Sequence, residues 1–254
     1  MSKKIFLIAG TEDGRKLAEF LTGKNFDVTA SVVSDYGRKL LETCAGVKIN
    51  DKPLERDELE KILRDGKFDA IVDASHPYAA NISANAIAAA QVAKIFYVRH
   101  ERAEVDFAYE KIFRVENYMA AAHKAREFGK NIFLTTGSRS LKIFVDALPD
   151  CNLTARVLPT AEVLTYCESL GLTPKQIIAV QGSFSVALNV ELFRHANAQV
   201  IVTKNSGSIG GTDTKIEAAQ ILNLPVVMIE RPKIFYPNIA ATFDDVLKFL
   251  EEST

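Results

Sequence analysis

Short apolar runs rich in β-branched residues alternate with longer amphipathic stretches along the whole chain. This alternation predicts repeated βα units and a parallel sheet, because parallel strands are buried on both faces and the crossover helices on one. In the first half, strands are predicted at residues 4–9, 28–33, 47–49, 68–73 and 95–98. Helices are predicted at residues 12–21, 37–43, 54–64, 79–92 and 117–128, with Asn117 as the N-cap of the last one.

The same alternation starts again after residue 130. It predicts strands at residues 132–135, 153–157, 177–180, 200–203 and 226–229. The matching helices are predicted near residues 138–147, 161–170, 185–195, 214–222 and 243–250. These strands exceed the roughly eight with which a βα-barrel closes, and they divide into two equal sets. We therefore predict an α/β fold of two doubly wound domains, residues 1–115 and 116–254, because the charged stretch 102–111 lacks apolar periodicity.

Charge and composition exclude several functions. The 254 residues include 31 Lys and Arg against 32 Asp and Glu, a net charge of -1, which gives no long-range field for a nucleic-acid backbone. No apolar run approaches the ~20 residues of a membrane span, and the run at residues 5–10 is too short for an export signal. The cysteines and histidines form no CxxC, HxH or HExxH spacing, so we expect no disulfide framework and no metal site. We expect a soluble, cytoplasmic protein that binds neither a membrane nor a nucleic acid.

Polar residues follow the first two strands, at the edge where open parallel sheets bind ligands. The first strand leads into Gly-Thr-Glu-Asp-Gly-Arg at residues 10–15, half of a G-x-G-x-x-G fingerprint, which indicates a phosphate site or a plain βα turn. The second strand ends near Ser34, Asp35 and Arg38, where a dinucleotide ribose would be read. Asp35 favours a free ribose hydroxyl, whereas Ser34 and Arg38 favour a ribose phosphate, so NADH and NADPH both stay open.

The fourth and fifth strands end in clusters of chemically active side chains. Asp-Ala-Ser-His-Pro-Tyr-Ala at residues 73–79 places His76 either beside a nicotinamide or substrate, or in a backbone hydrogen bond next to a helix cap formed by Ser75. Arg99 and Arg102 flank a glutamate, and they either bind a carboxylate bidentately or form a solvated ion network.

Four strands of the second half also end in hydroxyl, amide or cationic residues. These ends are Thr-Thr-Gly-Ser at 135–138, Arg-Val-Leu-Pro at 156–159, Gln-Gly-Ser-Phe-Ser at 181–185, and the glycine-rich residues 203–212. Their recurrence indicates a lined cleft, and the last loop fits an N–H nest for an anion. The sequence contains no G-x-S-x-G elbow or other nucleophile motif, which favours hydride transfer by a cofactor and hence a two-domain α/β reductase.

Taken in order, these segments resemble the precorrin-6A reductase family of corrin-ring (cobalamin) biosynthesis, including its cobalt-precorrin-6A counterpart. The resemblance spans nearly the whole chain and ends in Lys-Ile-Glu-Ala-Ala at residues 215–219 and Arg-Pro at residues 231–232. It implies two Rossmann-like domains whose parallel sheets face a central cleft, and NADPH- or NADH-dependent reduction of one double bond of the macrocycle. It also implies a polycarboxylate substrate, with other corrin-pathway enzymes as candidate partners.

The resemblance also assigns roles to individual residues. The pyrophosphate would contact Gly10, Thr11, Gly14 and Arg15, and the adenosine ribose would contact Ser34 and Arg38. His76 would be catalytic, beside the nicotinamide, with Tyr78 at the macrocycle. The other substrate contacts implied are Arg99, Arg102, Thr136, Gly137, Gln181, Lys204, Ser206 and Gly207. His76, Lys204 and water stay open as the proton donor, and so do the presence of cobalt in the substrate and the oligomeric state.

Two features depart from the family pattern, and two other functions compete with it. Ala9 and Gly10 stand where a Gly-Gly pair is common, and Glu12 and Asp13 bring negative charge near a pyrophosphate. A tetrapyrrole lyase similar in architecture to uroporphyrinogen-III synthase would bind no dinucleotide. A nucleotide-sensing module would bind a dinucleotide without oxidising it.

Overall fold

The computed structural model describes residues 2–33, 35–52, 54–102, 104, 106–182, 184–207 and 210–253, without the side chain of Asp35. The strands are β1 (Lys4–Ile8), β2 (Asp27–Ser31), β3 (Lys48–Asn50), β4 (Ala70–Asp73), β5 (Phe96–His100), β6 (Ile112–Val115), β7 (Asn131–Leu134), β8 (Asn152–Val157), β9 (Ile177–Ala179), β10 (Val200–Lys204), β11 (Val226–Ile229) and β12 (Ile239–Ala240). The helices are α1 (Glu12–Gly23), α2 (Asp35–Leu41), α3 (Arg56–Gly66), α4 (Ala80–Ala93), α5 (Tyr118–Arg126), α6 (Leu141–Ala147), α7 (Ala161–Ser169), α8 (Val186–His195), α9 (Thr212–Ile221) and α10 (Phe243–Glu252), with a 3-10 turn at Pro174–Gln176. Within the described ranges, no helix is long and apolar enough to cross a membrane.

One six-stranded parallel sheet belongs to the unit formed by Met1–Ala103 and Pro232–Thr254. Its strand order is β3-β2-β1-β4-β5-β12, so the direction in which strands are added reverses between β1 and β4. Helices α1 and α10 cover one face of this sheet and α3 and α4 the other, which buries Leu17, Leu59 and Ala86 completely. In open parallel sheets, such a reversal opens a ligand crevice at the carboxyl ends of the two strands.

The second six-stranded parallel sheet belongs to the unit Glu104–Arg231. Its strand order is β9-β8-β7-β10-β11-β6, and the reversal falls between β7 and β10. Phe133 of β7 packs edge-on against Phe193 of α8 in the core, with ring centroids 4.9 Å apart. The loops after β7 and β10 therefore lie where a ligand crevice is expected in this unit.

The predicted α/β class with parallel sheets is confirmed, and each predicted strand is present. The sequence pattern did not predict β6 and β12. Both are edge strands: β6 is partly exposed along its length, and β12 contains two residues. Neither strand therefore contains the run of apolar residues by which a buried central strand is recognised in a sequence. The predicted cap is also present, because the Asn117 side chain accepts a hydrogen bond from the Ala120 N–H at 2.8 Å.

These two strands change the division of the chain. β6 belongs with the second unit, whereas β12 and α10 return residues 232–254 to the first unit. The observed units therefore differ from the predicted halves, 1–115 and 116–254, at both ends of the second unit. β12 pairs with β5 at two positions, Ile239 with Arg99 and Ala240 with His100, and so short a pairing has no sequence signal. The predicted helix α10 then packs into the core of the first sheet through Val246 and Leu250.

Candidate functional site

The loop from β1 to α1 lies at the reversal point of the first sheet. Thr11 caps α1: its Oγ1 accepts a hydrogen bond from the Gly14 N–H at 3.0 Å and donates one to the Ala74 carbonyl at 3.1 Å. A Cβ on Gly10 would meet no heavy atom of the described structure within 4 Å, whereas a Cβ on Gly14 would lie 2.7 Å from the Ala9 Cα. Gly10 therefore leaves space for a ligand beside the backbone, and Gly14 lets α1 pack closely against β1.

The two carboxylates of this loop are matched by cations. Glu12 pairs with Lys16 at 2.7 Å, and the hydrogen bond and charge of Lys16 lower the pKa of Glu12. Asp13 pairs with Arg102, whose Nη2 lies 2.5 Å from Asp13 Oδ1, which joins the chain after β5 to the first turn of α1. Arg15 lies in the same turn and is partly buried. The positive end of α1 therefore faces paired rather than isolated negative charges, which reduces the conflict with a pyrophosphate.

The structure describes the end of β2 in part. Ser34 lies outside the described residues, and so does the side chain of Asp35. Arg38 lies at the surface and pairs with Glu42 at 3.1 Å and with Asp51 at 3.0 Å. A ribose phosphate would therefore compete with two carboxylates for this guanidinium.

His76 lies in the loop after β4, which the bond from Thr11 to the Ala74 carbonyl ties to the first loop. Its Nδ1 accepts a hydrogen bond from the Tyr78 N–H at 3.2 Å, and the two rings lie 5.7 Å apart. This bond occupies the Nδ1 lone pair, so the neutral ring carries its proton on Nε2. His76 thus makes the backbone bond that one alternative predicted, but Ser75 does not cap α4, whose N-cap is Ala79 and has no side-chain cap bond. A place for His76 beside a nicotinamide or substrate stays a prediction.

A buried ion pair lies beneath this loop. Arg99 is 1% exposed, and its Nη1 donates to Oδ1 of the fully buried Asp73 at 2.8 Å. Burial alone would raise the pKa of Asp73, but the Arg99 charge and hydrogen bonds from two serines outweigh it and lower the pKa. Arg99 Nε also lies 2.9 Å from Glu101. This environment does not fit the predicted contact with a substrate carboxylate, because protein carboxylates already enclose the guanidinium. The Arg102 side chain, in contrast, is 45% exposed.

In the second unit, hydrogen bonds close the loop after β10 onto the start of α9. Thr212 Oγ1 donates to the Lys204 carbonyl at 3.2 Å and accepts from the Ser206 N–H at 3.2 Å. Gly207 has a φ of 74°, the left-handed region that glycine favours, and its carbonyl accepts from the Thr212 N–H at 3.2 Å. These bonds fold the loop against the positive end of α9, where an anion is favoured.

The remaining predicted residues of this unit lie after β7 and β9. Thr136 is buried and accepts a hydrogen bond from Ser140 Oγ at 3.1 Å, so it supports the loop from inside. Gly137 has a φ of 80° and open space where a Cβ would stand. Gln181 is exposed and follows the edge strand β9. Of these three, Gly137 and Gln181 present atoms at the surface, whereas the Thr136 side chain does not.

Two buried cations stand out near the start of α9, and the sequence analysis did not single them out as site residues. Arg156 is 7% exposed: it donates to Asn189 Oδ1 at 2.7 Å and lies over the Phe184 ring at 4.4 Å. Lys215 is 8% exposed, and its Nζ donates to the Gly210 carbonyl at 2.7 Å. Among the described residues, neither cation has a carboxylate within ion-pair distance.

Burial and mutual repulsion perturb these cations. Burial lowers the pKa of Arg156 to about 10. Burial and the charges of Arg156 and Lys204 lower the pKa of Lys215 to about 7. Burial and the charge of Arg139 lower the pKa of Lys204 to about 8. Buried cations with neutral partners are costly, so this group is suited to a ligand that brings several negative charges.

Comparisons with known proteins agree with this picture. The family model for "Precorrin-6x reductase CbiJ/CobK" matches residues 4–251. The chain is 41% identical to the cobalt-precorrin-6A reductase of Priestia megaterium, over 98% of this chain and 99% of the relative. It is 38% identical to the cobalt-precorrin-6A reductase of Methanocaldococcus jannaschii, over 97% of each chain. The solved structure of CobK precorrin-6A reductase superposes with a TM-score of 0.81 at 24% identity, covering 100% of this chain and 98% of the other, which supports the fold.

Proposed function

Because this chain belongs to the precorrin-6x reductase CbiJ/CobK family, we propose that it reduces one double bond of the cobalt-precorrin-6A macrocycle in cobalamin biosynthesis. The predicted family resemblance and the predicted oxidoreductase class are confirmed by the match over residues 4–251. The cobalt-containing substrate is favoured because the relatives at 41% and 38% identity are both cobalt-precorrin-6A reductases. Within the molecule, the observation that carries the proposal is the pair of buried cations, Arg156 and Lys215, which suits a substrate with many carboxylates.

Three features of the first unit support a dinucleotide site. A pyrophosphate fits the open space at Gly10 and the Thr11-capped N-terminus of α1, at the point where the strand order reverses. Gly10, Thr11 and Arg15 would hold the pyrophosphate, while Gly14 would keep α1 close to β1. When bound, the reduced nicotinamide supplies the hydride.

The surroundings of Arg38 favour NADH over NADPH. Its guanidinium is engaged by Glu42 and Asp51, so a ribose phosphate would have to displace both carboxylates. A free ribose hydroxyl requires no such exchange. Comparison of kcat/KM for the two dinucleotides tests this preference, and a higher value for NADPH would contradict it. Use of a soluble dinucleotide pool agrees with the expected cytoplasmic location.

The second unit would hold carboxylates of the macrocycle. A substrate carboxylate would pair with each of three cations, Lys204, Lys215 and Arg156. The described part of the protein gives Lys215 and Arg156 neutral partners only, so these two would gain their first negative partner. The backbone of Gly137 and Gly207 leaves room for close approach, and Ser206 lies in the loop that closes onto α9. These residues would form a local cationic site for a polyanion on a protein whose net charge is close to zero.

Reduction of a double bond also requires a proton at the carbon next to the one that is reduced. The Nδ1 of His76 accepts the Tyr78 N–H, so a proton given up by this ring would leave from Nε2. Lys204, with its pKa lowered to about 8, is protonated at neutral pH and releases a proton more readily than an ordinary lysine. His76 acting through Nε2, Lys204 and water therefore remain the proposed proton sources.

Anaerobic incubation with each corrinoid and each dinucleotide tests the proposed function. Cobalt-precorrin-6A should cause loss of NADH absorbance, and mass spectrometry should show a product that has gained two hydrogens. Absence of oxidation with both the cobalt-containing and the metal-free substrate would refute the proposal. Calorimetry separates the competing functions: a lyase would bind no dinucleotide, and a sensing module would bind one without oxidising it.

A further inference from the structure

A buried hydrogen-bond network fixes the point at which the chain leaves β4. Asp73 Oδ1 accepts from the Ser75 N–H at 2.9 Å, and its Oδ2 accepts from Ser83 Oγ at 2.6 Å and from the Tyr97 hydroxyl at 2.9 Å. Arg99 Nη1 adds a further bond to Oδ1 at 2.8 Å. Each carboxylate oxygen therefore has two donors, and Asp73 is held in one orientation.

Arg99 connects this carboxylate to the loop itself. Its Nη1 also donates to Ser75 Oγ at 2.9 Å, and its Nε donates to Glu101 Oε2 at 2.9 Å. The guanidinium lies 5.4 Å from the centre of the Tyr236 ring. A planar guanidinium meets these groups in fixed directions, which the compact ammonium of a lysine would not reproduce.

We propose that Arg99 is a positioning residue, which acts through Ser75 Oγ to fix the loop that presents His76 at the ligand edge. The role of that loop in catalysis rests on the proposed function, but its geometry does not. His76 follows Ser75 directly, Thr11 holds the neighbouring Ala74 carbonyl, and the Ser75 N–H is bound to Asp73, so the Arg99–Ser75 bond is the support that acts on the Ser75 side chain. A displacement of ~1 Å at a reacting group lowers a rate by up to about 100-fold, so the support is significant for turnover.

Steady-state kinetics of Ser75→Ala, Arg99→Lys and the double variant test the link. Each single change should lower kcat about 10-fold and leave the macrocycle KM within about twofold of wild type. The double variant should be no slower than Arg99→Lys, because both changes remove the same bond. A raised KM with unchanged kcat would show that Arg99 binds substrate directly and would overturn the proposal, as would effects that multiply.

Two exposed positions provide matched controls. Ser169→Ala in α7 and Arg64→Lys in α3 repeat the same chemical changes at the surface and should keep wild-type kinetics. Among these variants, Arg99→Lys has the greatest risk of misfolding, because it disturbs a buried ion pair. Ser75→Ala keeps the bond between Arg99 and Asp73, so its kcat decides the question if Arg99→Lys does not fold.

NMR of the His76 ring gives a readout that needs no substrate. Its nitrogen signals, assigned with His76→Gln, should show an Nε2–H tautomer in the wild type and a mixture of tautomers in Ser75→Ala. The controls should leave these signals unchanged. Unchanged His76 signals in Ser75→Ala would overturn the positioning role even if the protein proves to be an active reductase. If no corrinoid is reduced but the signals move, the proposed function fails and the positioning of the loop stands.

Discussion

The two glycines of the β1–α1 loop should respond in opposite ways to a single added methyl group. In Gly14→Ala the new Cβ would lie 2.7 Å from the Ala9 Cα and 3.0 Å from its carbonyl carbon, so rigid backbone must shift. Overpacking of this kind costs about 1–3 kcal/mol, and the better helix propensity of alanine returns up to about 1 kcal/mol. The free energy of unfolding should therefore fall by about 1–2 kcal/mol, which lowers Tm by about 2–8 °C in a chain of this size.

Gly10→Ala meets no heavy atom of the described structure within 4 Å, so its stability should stay within about 0.5 kcal/mol of wild type. Its methyl group would instead stand where a pyrophosphate approaches the backbone, and the Kd for NADH should rise about 10-fold or more. Thermal unfolding and calorimetric titration with NADH, performed on both variants, measure the two effects separately. Wild-type affinity in Gly10→Ala would refute the placement of the pyrophosphate, and wild-type Tm in Gly14→Ala would refute the packing argument.

Three further predictions concern buried or paired charges. Burial lowers the pKa of His100, whose ring packs edge-on against Phe243, so the unfolded chain binds a proton more readily. Urea unfolding should show stability falling as the pH drops below about 6.5, by at most about 1.4 kcal/mol per pH unit, and a weaker dependence in His100→Phe. Lys215→Met should raise the free energy of unfolding at neutral pH, because the folded protein holds a proton on Lys215 less readily than the unfolded chain does, with a pKa of about 7 instead of 10.5. Wild-type stability should therefore increase between pH 7 and 10.5, and the excess stability of Lys215→Met should shrink over that range. The macrocycle KM of this variant should rise. Arg102→Met should raise the macrocycle KM without lowering kcat, in contrast to Arg99→Lys, and an unchanged KM would remove Arg102 from the substrate contacts.

The sequence was sufficient to predict the central strands and the loops that follow them. It was not sufficient to predict the ion pairs that neutralise charged residues in those loops. Arg102 and Asp13 are separated by 89 positions, and Arg99 and Asp73 by 26. No local pattern links such residues, because β1, β4 and β5 become neighbours only when the sheet forms. The sequence therefore predicted two similar arginines at the end of β5, and the fold buries one while leaving the other at the surface.

Lys215 illustrates a second limit of sequence reasoning. It belongs to the first turn of the helix predicted at residues 214–222, between Asp213 and Glu217 in the sequence, a pattern typical of a solvated helix end. In the structure, the chain before α9 turns so that the Gly210 carbonyl accepts a hydrogen bond from the Lys215 ammonium, and the lysine side chain becomes buried. Burial of this lysine depends on the left-handed turns at Gly207 and Gly211, whose presence the glycines suggest but whose direction they do not specify.

The two units share the order of five strands and differ in the edge strand beside them, β12 in the first unit and β6 in the second. They also differ in the electrostatics at the carboxyl ends of their strands. In the first unit, each carboxylate near the reversal point has a cation: Glu12 has Lys16, Asp13 has Arg102, and the buried Asp73 has Arg99. A dinucleotide there would be recognised mainly by backbone N–H groups and the helix dipole, with little net side-chain charge. In the second unit, the two buried cations near the start of α9 have neutral partners, so their charge remains available to a polyanion. A net charge of -1 for the whole chain therefore conceals one sheet edge whose charges are paired, proposed for a dinucleotide, and one cationic sheet edge, proposed for the substrate. The difference follows from which residues the fold pairs rather than from how many charges it contains.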